Sequence, residues 1–321
     1  FIGYYSGTYK PANNRFIDSY DVIKILLEKK DTMLEPMPYD DTIMKSPFYD
    51  KVTNFETLEY PTSCLKDEVY EPKEMNKHYK KYYKVYFDFE TITTQKHEPY
   101  LVCYETEDGE KAVFYNAMDM LNNLPDKENI MLIAHNANYD CRFILNYLKR
   151  TIPIIKCGRF ISIDAEYWRY NDKTKKINIR IKDSYKMIDF ALSKFGEAFS
   201  LKQSKEIMPY GIYTHINIQK RFVKIEEAMQ FINDKEDQEQ FKRNINEWGL
   251  GCNTDCYDII KYSILYCQLD CTVLRLGYEK FRDWMFKDAG LDVDNYCTIQ
   301  SLAQDFALKE GCYDGVLKIG G

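Results

Sequence analysis

The sequence predicts an α/β fold in which a central sheet is flanked by helices. Strand-like segments recur from Tyr83 onward, beginning with KVYFDFET at 84–91. The last strongly periodic segment, at 254–286, carries apolar residues at a sustained helical spacing. Strands followed by helices, with a long helix at the end, are typical of a layered α/β domain.

The same patterns predict the individual elements in chain order. Strands are expected near 84–90, 99–106, 111–115, 130–136, 161–168 and 176–184. Helices are expected near 117–124, 138–150, 254–286 and 298–308, with an inserted helical segment around 222–249. The helix at 138–150 is predicted from Tyr139, Phe143, Ile144 and Tyr147, which recur at helical spacing.

Composition limits the function classes. The chain has 321 residues and a net charge of -6, which gives no global electrostatic case for nucleic-acid binding, so such binding must depend on local patches. Its ten cysteines form no CxxC pair and no zinc-type cluster, and buried free thiols are expected. No signal peptide or transmembrane segment is recognisable. We therefore expect a soluble protein, cytoplasmic or otherwise inside a host cell, with no membrane partner.

Asp88 and Glu90 lie two residues apart in the first strand, so they share one face while Val85, Phe87 and Phe89 point to the other. Two adjacent ionised carboxylates repel each other and are costly to bury unpaired. The pair therefore faces water, a basic partner or a metal ion. A D-x-E motif alone favours a solvent-facing strand edge over a catalytic role, because three-residue motifs recur by chance.

Two further pairs follow at other elements. Asn136 and Asp140 mark a strand-to-helix junction, where they could also serve as a helix cap and a complement to the helix dipole. Tyr266 and Asp270 are four residues apart on the last long helix and share a face, which could also be a packing seam. The joint pattern favours a catalytic interpretation over three independent structural ones.

The ordered set D-x-E, N-x3-D and Y-x3-D resembles the three exonuclease motifs of family B DNA polymerases. These motifs belong to the DEDDy group of ribonuclease-H-like 3'-5' exonucleases. The resemblance implies a ribonuclease-H-like central mixed sheet flanked by helices, covering residues 83–286. It also implies proofreading by phosphodiester hydrolysis with two divalent metal ions, Mg2+ or Mn2+.

The stretches DFET, HNANYDCRFI, DSY and KEIMPY look like the protein-primed branch, found in bacteriophages, linear plasmids and polinton-like viral elements. In that branch matching positions hold the 3' end of single-stranded DNA. The corresponding residues are Thr91, His135, Asn136, Tyr139, Ser184, Tyr185 and Tyr210. Tyr185 stands where leucine is usual, although a tyrosine could still stack on a base.

The resemblance also implies roles at the metal site. Asp88 bridges both ions, Glu90 and Asp270 complete the first site, and Asp140 supports the second. Tyr266 orients the attacking water, and Lys205 contacts the scissile phosphate or the developing charge. Without the resemblance, Lys205 would be an ordinary surface lysine.

The predicted organisation has three parts: 1–82 as an N-terminal extension of unknown role with a helix near 21–30, 83–286 as the exonuclease domain, and 287–321 as the start of a polymerase palm. Polymerase motifs of the Asp-x2-Ser-Leu-Tyr-Pro-Ser and Tyr-x-Asp-Thr-Asp type are absent from the sequence. The chain starts at Phe1, so we expect a piece of a replicative DNA polymerase. Expected partners are a single-stranded DNA 3' end, a terminal protein primer and the polymerase domain of the same parent chain.

Two alternatives stay open at this point. The chain could be a module of the polymerase that binds single-stranded DNA or the terminal protein without cleaving. It could also be a free-standing DEDDy nuclease that degrades RNA or DNA. The complete acidic set argues against the first alternative, and the palm-like tail argues against the second.

Overall fold

The computed structural model describes residues 65–69, 80–92, 97–156, 159–169, 175–252, 255–312 and 317–319. Backbone contacts group the chain into two units, Phe1–Tyr70 with Gly315–Gly321, and Glu71–Asp314. The predicted helix near 21–30 lies outside the described residues. The predicted domain boundaries at 82/83 and 286/287 stay predictions.

The secondary structure alternates strands with short helices before one long helix. The strands are β1 (Leu65–Val69), β2 (Tyr83–Ile92), β3 (Glu98–Thr106), β4 (Lys111–Phe114), β5 (Asn129–Ala134), β6 (Lys149–Lys156), β7 (Arg159–Trp168), β8 (Lys176–Asp183), β9 (Phe222–Lys224), β10 (Gly251–Cys252), β11 (Cys256–Asp258) and β12 (Leu317–Ile319). The α-helices are α1 (Ala117–Asn122), α2 (Phe195–Ala198), α3 (His215–Lys220), α4 (Ile225–Met229), α5 (Lys235–Glu247), α6 (Ile259–Ala289) and α7 (Ile299–Lys309). Short 3-10 turns lie at Asp140–Phe143, Leu145–Tyr147, Ser184–Lys186, Leu192–Lys194, Tyr210–Ile212 and Val293–Asn295.

In the first unit, β1 and β12 form an antiparallel pair. In the second unit, a seven-stranded mixed sheet has the order β4-β3-β2-β5-β8-β7-β6. Strands β2, β5 and β8 run parallel to one another, and the other pairings are antiparallel. This sheet confirms the predicted mixed α/β fold class.

The parallel strands position the candidate site. Parallel neighbours end at the same edge of a sheet, and ligands of open α/β sheets bind at the carboxyl ends of the strands. The register pairs Tyr86 with Ile133 and Ala134 with Asp183. The last residues of β2 therefore lie beside the segment after β5 and the segment after β8.

The two faces of the sheet are covered by different cores. On one face Val85, Phe87 and Phe89 pack with Met120 and Leu121 of α1. On the other face Tyr86 packs with residues of α6, among them Val273, Leu274 and Tyr278. Because strand side chains alternate, Asp88 and Glu90 are on the face that α6 covers, as the sequence predicts.

Helix α6 packs on this second face, where it contacts β2, β3 and β4. It begins after Asp258, whose side chain accepts a hydrogen bond from the backbone N–H of Lys261. It ends at Gly290, whose φ of 67° is a left-handed conformation that glycine adopts without strain. The predicted start at 254 is therefore wrong, because Cys256–Asp258 pairs with β9 and β10 as a strand. Among the described helices, none is long and apolar enough to span a membrane.

The predicted helix at 138–150 is also wrong. The segment forms two 3-10 turns, Asp140–Phe143 and Leu145–Tyr147, and then enters β6. Its buried residues, Ala137, Cys141, Ile144 and Leu148, do recur at helical spacing. Over so short a segment this spacing does not distinguish an α-helix from tighter turns whose hydrogen bonds span three residues.

Strand β6 was not predicted. Its sequence KRTIPIIK contains Pro153, which cannot donate to a ladder, and proline in a strand is confined to sheet edges. β6 is indeed the last strand of the sheet order. The inserted segment around 222–249 holds β9, α4 and α5, so it is only partly the helical segment that was predicted.

A third core holds the segment 205–213 against α6. Met208, Ile212 and Tyr213 pack in one buried cluster with Tyr262 and Tyr266 of the helix. Lys205 and Tyr210 belong to this segment. The cluster therefore fixes these two side chains relative to Asp270, which follows Tyr266 on the same helix.

Candidate active site

A cleft of about 260 Å³ opens at the carboxyl end of β2. It is lined by Asp88, Phe89, Glu90, Thr91, His135, Asn136, Tyr139, Asp140, Lys205, Tyr210 and Asp270. The four predicted acidic residues are therefore brought together, although they come from a strand, a turn and a distant helix. A wider adjoining cleft of about 750 Å³ adds Arg142, Tyr185, Leu192 and Ser193.

Asp88 and Glu90 stand side by side on β2. Asp88 is partly exposed, whereas Glu90 is only 4% exposed. Burial, together with the acidic groups around them, raises the pKa of both carboxyls well above their ordinary values. The pair therefore favours any cation that can replace its protons.

Asp140 is held in the first turn after β5. It is 3% exposed, and its Oδ1 accepts a hydrogen bond of 3.2 Å from the backbone N–H of Phe89 on β2. Burial raises the pKa of Asp140 to about 7, although hydrogen bonds from backbone N–H groups lower it in part. This contact fixes Asp140 beside the D-x-E pair.

Asp270 is the one of the four carboxylates that forms an ion pair among the described residues. It is 2% exposed, its Oδ2 is ion-paired with Lys205, and its Oδ1 is buried with no hydrogen-bond partner among the described residues. Burial raises the pKa of Asp270 to about 6, against the opposing effect of the Lys205 ammonium. Burial lowers the pKa of Lys205, but the attraction of Asp270, Tyr210 and Asp88 and the hydrogen bond with Asp270 together raise it above its ordinary value.

Tyr266 lies behind the cleft. It is 1% exposed, and its hydroxyl group is 2.8 Å from that of Tyr210, which is 50% exposed and lines the cleft. The Lys205 ammonium lies 4.8 Å from the centre of the Tyr266 ring. Tyr266 is therefore linked to the cleft through Tyr210, Lys205 and Asp270.

Sequence reasoning missed Cys267 as a part of this site. Its buried thiol is 3.3 Å from the backbone oxygen of Asp88, and its Sγ lies within 4.8 Å of carboxylate oxygens of both Asp88 and Glu90. The sequence predicted a buried free thiol, and the residue is free and fully buried. The sequence could have indicated this contact, because Cys267 lies three residues before Asp270 and therefore on the same face of the helix.

The half-buried His135 and the buried Ser184 form a pair at the ends of the adjacent strands β5 and β8. The His135 Nε2 is 2.9 Å from the backbone oxygen of Phe190, and its Nδ1 is 2.9 Å from the Ser184 hydroxyl group. Burial lowers the pKa of His135 to about 4, so the neutral ring donates from Nε2 and accepts at Nδ1. Ser184 is fully buried and does not line the cleft, and its hydroxyl group lies within hydrogen-bond distance of both His135 Nδ1 and the backbone oxygen of Ala134.

Asn136 and Asp183 shape the turn beside this pair. Asn136 has a φ of 64°, a left-handed conformation that is uncommon outside glycine. Its backbone N–H donates to Asp183 Oδ1 at 2.9 Å. Asp183, which sequence reasoning also missed, is fully buried at the end of β8 and thereby holds the turn that presents Asn136 to the cleft.

Tyrosines form the walls of the cleft. The Tyr139 hydroxyl group is 2.5 Å from the Thr91 hydroxyl group and 2.6 Å from His97 Nδ1, a contact that the sequence did not indicate. Tyr185 is 38% exposed in the wider cleft. Exposed aromatic faces of this kind can stack on nucleic-acid bases without sequence preference.

The residues present fit divalent metal ions. Hard ions such as Mg2+ prefer carboxylate oxygens and water, and four carboxylates line the cleft. Asp270 Oδ1 is a second indication, because it is buried without a hydrogen-bond partner in the part of the chain that the structure describes, and such an oxygen carries a large desolvation cost. A cation bound in the cleft would remove that cost.

Comparison with known proteins places this geometry in context. Phi29 DNA polymerase complexed with primer-template DNA and incoming nucleotide substrates aligns over 70% of this chain and 34% of its own, with 18% identity and a TM-score of 0.45. Phi29 DNA polymerase complexed with single-stranded DNA aligns over 54% and 33%, with 21% identity and a TM-score of 0.36. The chain thus spans about a third of the length of these polymerases, and at these TM-scores the likeness does not bear on function.

Comparison with curated protein sequences gave no match. The profile of the family described as DNA polymerase type B, organellar and viral, matches residues 122–308. The match covers more than half of the 321-residue chain and includes Asp140, Lys205 and Asp270 of the cleft. On this evidence the chain belongs to the organellar and viral type B DNA polymerases.

Proposed function

We propose that this chain is the metal-dependent 3'-5' exonuclease part of a protein-primed type B DNA polymerase and that it proofreads during DNA replication. One observation carries the proposal. Asp88, Glu90, Asp140 and Asp270 converge in one cleft with a single paired lysine, and one of their oxygens is buried without a partner among the described residues.

The four carboxylates would hold two divalent ions, Mg2+ or Mn2+. Asp88, Glu90 and Asp270 would hold the first ion, and Asp140 together with Asp88 would hold the second. The ions would lower the pKa of bound water and stabilise charge on the entering and leaving oxygens of the phosphodiester. The rigid placement of Asp140 by the Phe89 N–H supports this arrangement, because ligand positions must be fixed before an ion is bound tightly.

Lys205 and the tyrosine pair are proposed to act on the phosphodiester. The ion pair with Asp270 keeps the Lys205 ammonium in the cleft, where it can attract the scissile phosphate. Tyr266 is proposed to orient the attacking water. Its hydroxyl group lies 2.8 Å from that of Tyr210, which lines the cleft. Tyr266 is therefore proposed to act on the water through its hydrogen bond with Tyr210.

The DNA strand is proposed to enter along the cleft wall. Thr91, Asn136, Tyr139 and Tyr210 line the inner cleft, and Tyr185 lines the wider part. These side chains offer stacking faces and hydrogen bonds to a frayed 3' end, not readout of base edges. Ser184 is proposed to contribute through His135, whose ring its hydroxyl group holds in place.

The test is degradation of a 5'-labelled single-stranded DNA oligonucleotide in Mg2+ or EDTA. We expect a ladder that shortens from the 3' end and is lost on chelation and in Asp88→Ala and Asp270→Ala variants. Glu227→Ala serves as the matched control, because it removes an exposed carboxylate that does not line the cleft. A folded wild-type protein that binds the strand but leaves it intact in both Mg2+ and Mn2+ contradicts the proposal and favours a non-cleaving binding module. Preference for an RNA oligonucleotide would favour a free-standing nuclease.

The terminal protein and the polymerase domain of the parent chain are proposed partners. Their support is family membership, together with the sequence resemblance to the protein-primed branch.

A further inference from the structure

A buried thiol, which oxygen-based metal chemistry does not call for, lies beside the two β2 carboxylates of the cleft. Cys267 Sγ lies with carboxylate oxygens of Asp88 and Glu90 in a group whose atoms are all within 4.8 Å of one another. Its separation from Asp88 Oδ2 is 4.0 Å. A thiol at this position brings a soft ligand to the edge of a hard-ligand site.

The separation of these atoms suits a shared ion. Zinc binds thiolate sulfur at about 2.3 Å and carboxylate oxygen at about 2.0–2.2 Å. A sulfur and an oxygen 4.0 Å apart can therefore both contact one ion in a bent arrangement without movement of the backbone. Glu90 supplies a second oxygen within the same group.

A second observation points independently to a cation here. Asp270 is 2% exposed and lines the cleft, and its Oδ1 has no hydrogen-bond partner among the described residues. It lies three residues after Cys267 on α6, so the two side chains project from the same side of the helix. A carboxylate with an oxygen that has no hydrogen-bond partner among the described residues therefore lies about one helix turn from Cys267.

We propose that Cys267, Asp88 and Glu90 form a mixed thiolate and carboxylate site that takes a thiophilic divalent ion such as Zn2+ or Cd2+ in preference to Mg2+. Soft thiolate ligands select zinc-like ions, whereas Mg2+ selects oxygen alone. This inference rests on the proposed location of the metal cleft but not on cleavage. Its consequence for the proposed function is that such ions occupy Asp88 and Glu90 and inhibit Mg2+-dependent degradation.

The test is a titration of metal-free protein with Co2+ and Cd2+, followed by the sulfur-to-metal charge-transfer absorption. In the wild-type protein we expect the intensity of this band to saturate at one bound ion per chain. In Cys267→Ala and Cys267→Ser we expect the contribution of that one ion to the band to be lost. Cys297→Ser is the control, because this free thiol lies outside the ligand group. Its band should equal that of the wild type. Circular dichroism checks that each variant is folded.

A second variant removes the carboxylate and keeps the thiol. In Asp88→Asn we expect the same band at a Co2+ concentration at least about tenfold higher, since loss of a direct ligand costs no less than loss of a supporting one. This measurement does not depend on whether Cys267 variants fold.

The outcomes separate the two proposals. If Co2+ binds the wild-type protein without a sulfur band, or if folded Cys267→Ala keeps the full band, the mixed site is overturned. If the band follows Cys267 but DNA stays intact in Mg2+, the mixed site stands and the exonuclease proposal fails. If DNA is degraded and no band depends on Cys267, the exonuclease stands alone.

Discussion

Two clusters of buried charge lie near opposite ends of strand β2. One surrounds Lys84 near the start of the strand, and the other contains Asp88 and Glu90 near its end. Both clusters join the strand to α6. The carboxylates of the first cluster are paired with cations, whereas most of those in the second are not. The difference distinguishes a cluster that supports the fold from one that is suited to bind a ligand.

In the Lys84 cluster every carboxylate contacts a cation. The Lys84 ammonium is 3.4 Å from Glu107, 3.0 Å from Glu279 and 3.2 Å from Asp294. Arg282 binds Asp292 at 2.7 Å. Burial raises the pKa of Asp292, but its hydrogen bonds with Arg282 and with the backbone N–H of Asp294, together with the attraction of Arg282 and Lys84, lower it below its ordinary value. These charges stabilise one another in the folded chain.

In the cleft the balance is reversed. Among the described residues, Asp270 alone of the four carboxylates has an ion pair, with Lys205. The pKa of Asp140 is raised to about 7 and that of Asp270 to about 6, chiefly by burial. Excess negative charge of this kind costs stability unless a proton or a metal ion offsets it, and such groups concentrate at functional sites.

The largest expected effect is a loss of DNA degradation without a loss of fold stability. Asp88→Ala should lower the rate of DNA degradation by at least about a thousandfold, or about 4 kcal/mol, because metal clamping of both oxygens is lost. The same variant should unfold in EDTA at a temperature no lower than wild type, because one repulsive charge is removed. Rate measurements and thermal unfolding test both halves. An inactive Asp88→Ala variant that is also strongly destabilised would contradict the prediction, because Asp88 would then support the fold as the Lys84 cluster does.

The next effect breaks the paired cluster. Lys84→Met should cost about 3–5 kcal/mol of unfolding free energy, since it leaves Glu279 and Asp294 without their buried cation. Urea denaturation measures this cost. Lys242→Met is the control, because its exposed pair with Glu239 should change stability by less than about 1 kcal/mol. Equal costs in the two variants would contradict the structural role of the Lys84 cluster.

A smaller effect sharpens the role of the cleft. Tyr185→Ala should weaken binding of a single-stranded oligonucleotide by about 1–3 kcal/mol, the usual value of one base–aromatic stack. Fluorescence anisotropy in Ca2+ measures the affinity without requiring cleavage. Tyr115→Ala, which removes a 63% exposed tyrosine that does not line the cleft, should bind as wild type does. Identical affinities for the two variants would remove Tyr185 from the proposed path.

The smallest effect is on the pH dependence of stability. A carboxyl group whose pKa is raised by folding, as at Asp140, destabilises the fold as pH rises from its ordinary value of 3.8 through about 7. Asp140→Asn should therefore unfold at a higher temperature than wild type at pH 8 in EDTA, and this gain should vanish near pH 4. Each kcal/mol recovered corresponds to about 2–4 °C in Tm. A gain that is independent of pH would show that charge is not the cause.

Added metal should act in the same direction. Because protons and metal ions compete for these carboxylates, the rise in Tm produced by Mn2+ should be larger at pH 8 than at pH 5.5. The Lys84 cluster should behave differently from the cleft. Because the pKa of Asp292 is lowered, the stability that Asp292 contributes is lost only when the pH falls below its ordinary pKa of 3.8. Stabilisation by Mn2+ that does not change with pH would separate metal binding from the titration of the cleft.

Local sequence determined the features that depend on short-range periodicity. Alternation along β2 placed Asp88 and Glu90 on one face, and the four-residue spacing on α6 placed Tyr266 beside Asp270. The order of strands and helices gave the fold class for the same reason. Where periodicity was ambiguous, as in the turns after β5 and in the proline-containing edge strand β6, the local pattern was insufficient.

Only the tertiary structure decided which distant residues meet. The Asp140 contact with Phe89 spans 51 positions, the Lys205 pair with Asp270 spans 65, and the Cys267 contact with Asp88 spans 179. These contacts follow from the register of parallel β2, β5 and β8 and from the packing of α6 on β2 and β3. Register and helix placement minimise the free energy of the whole core, so no window of sequence shorter than the domain specifies them.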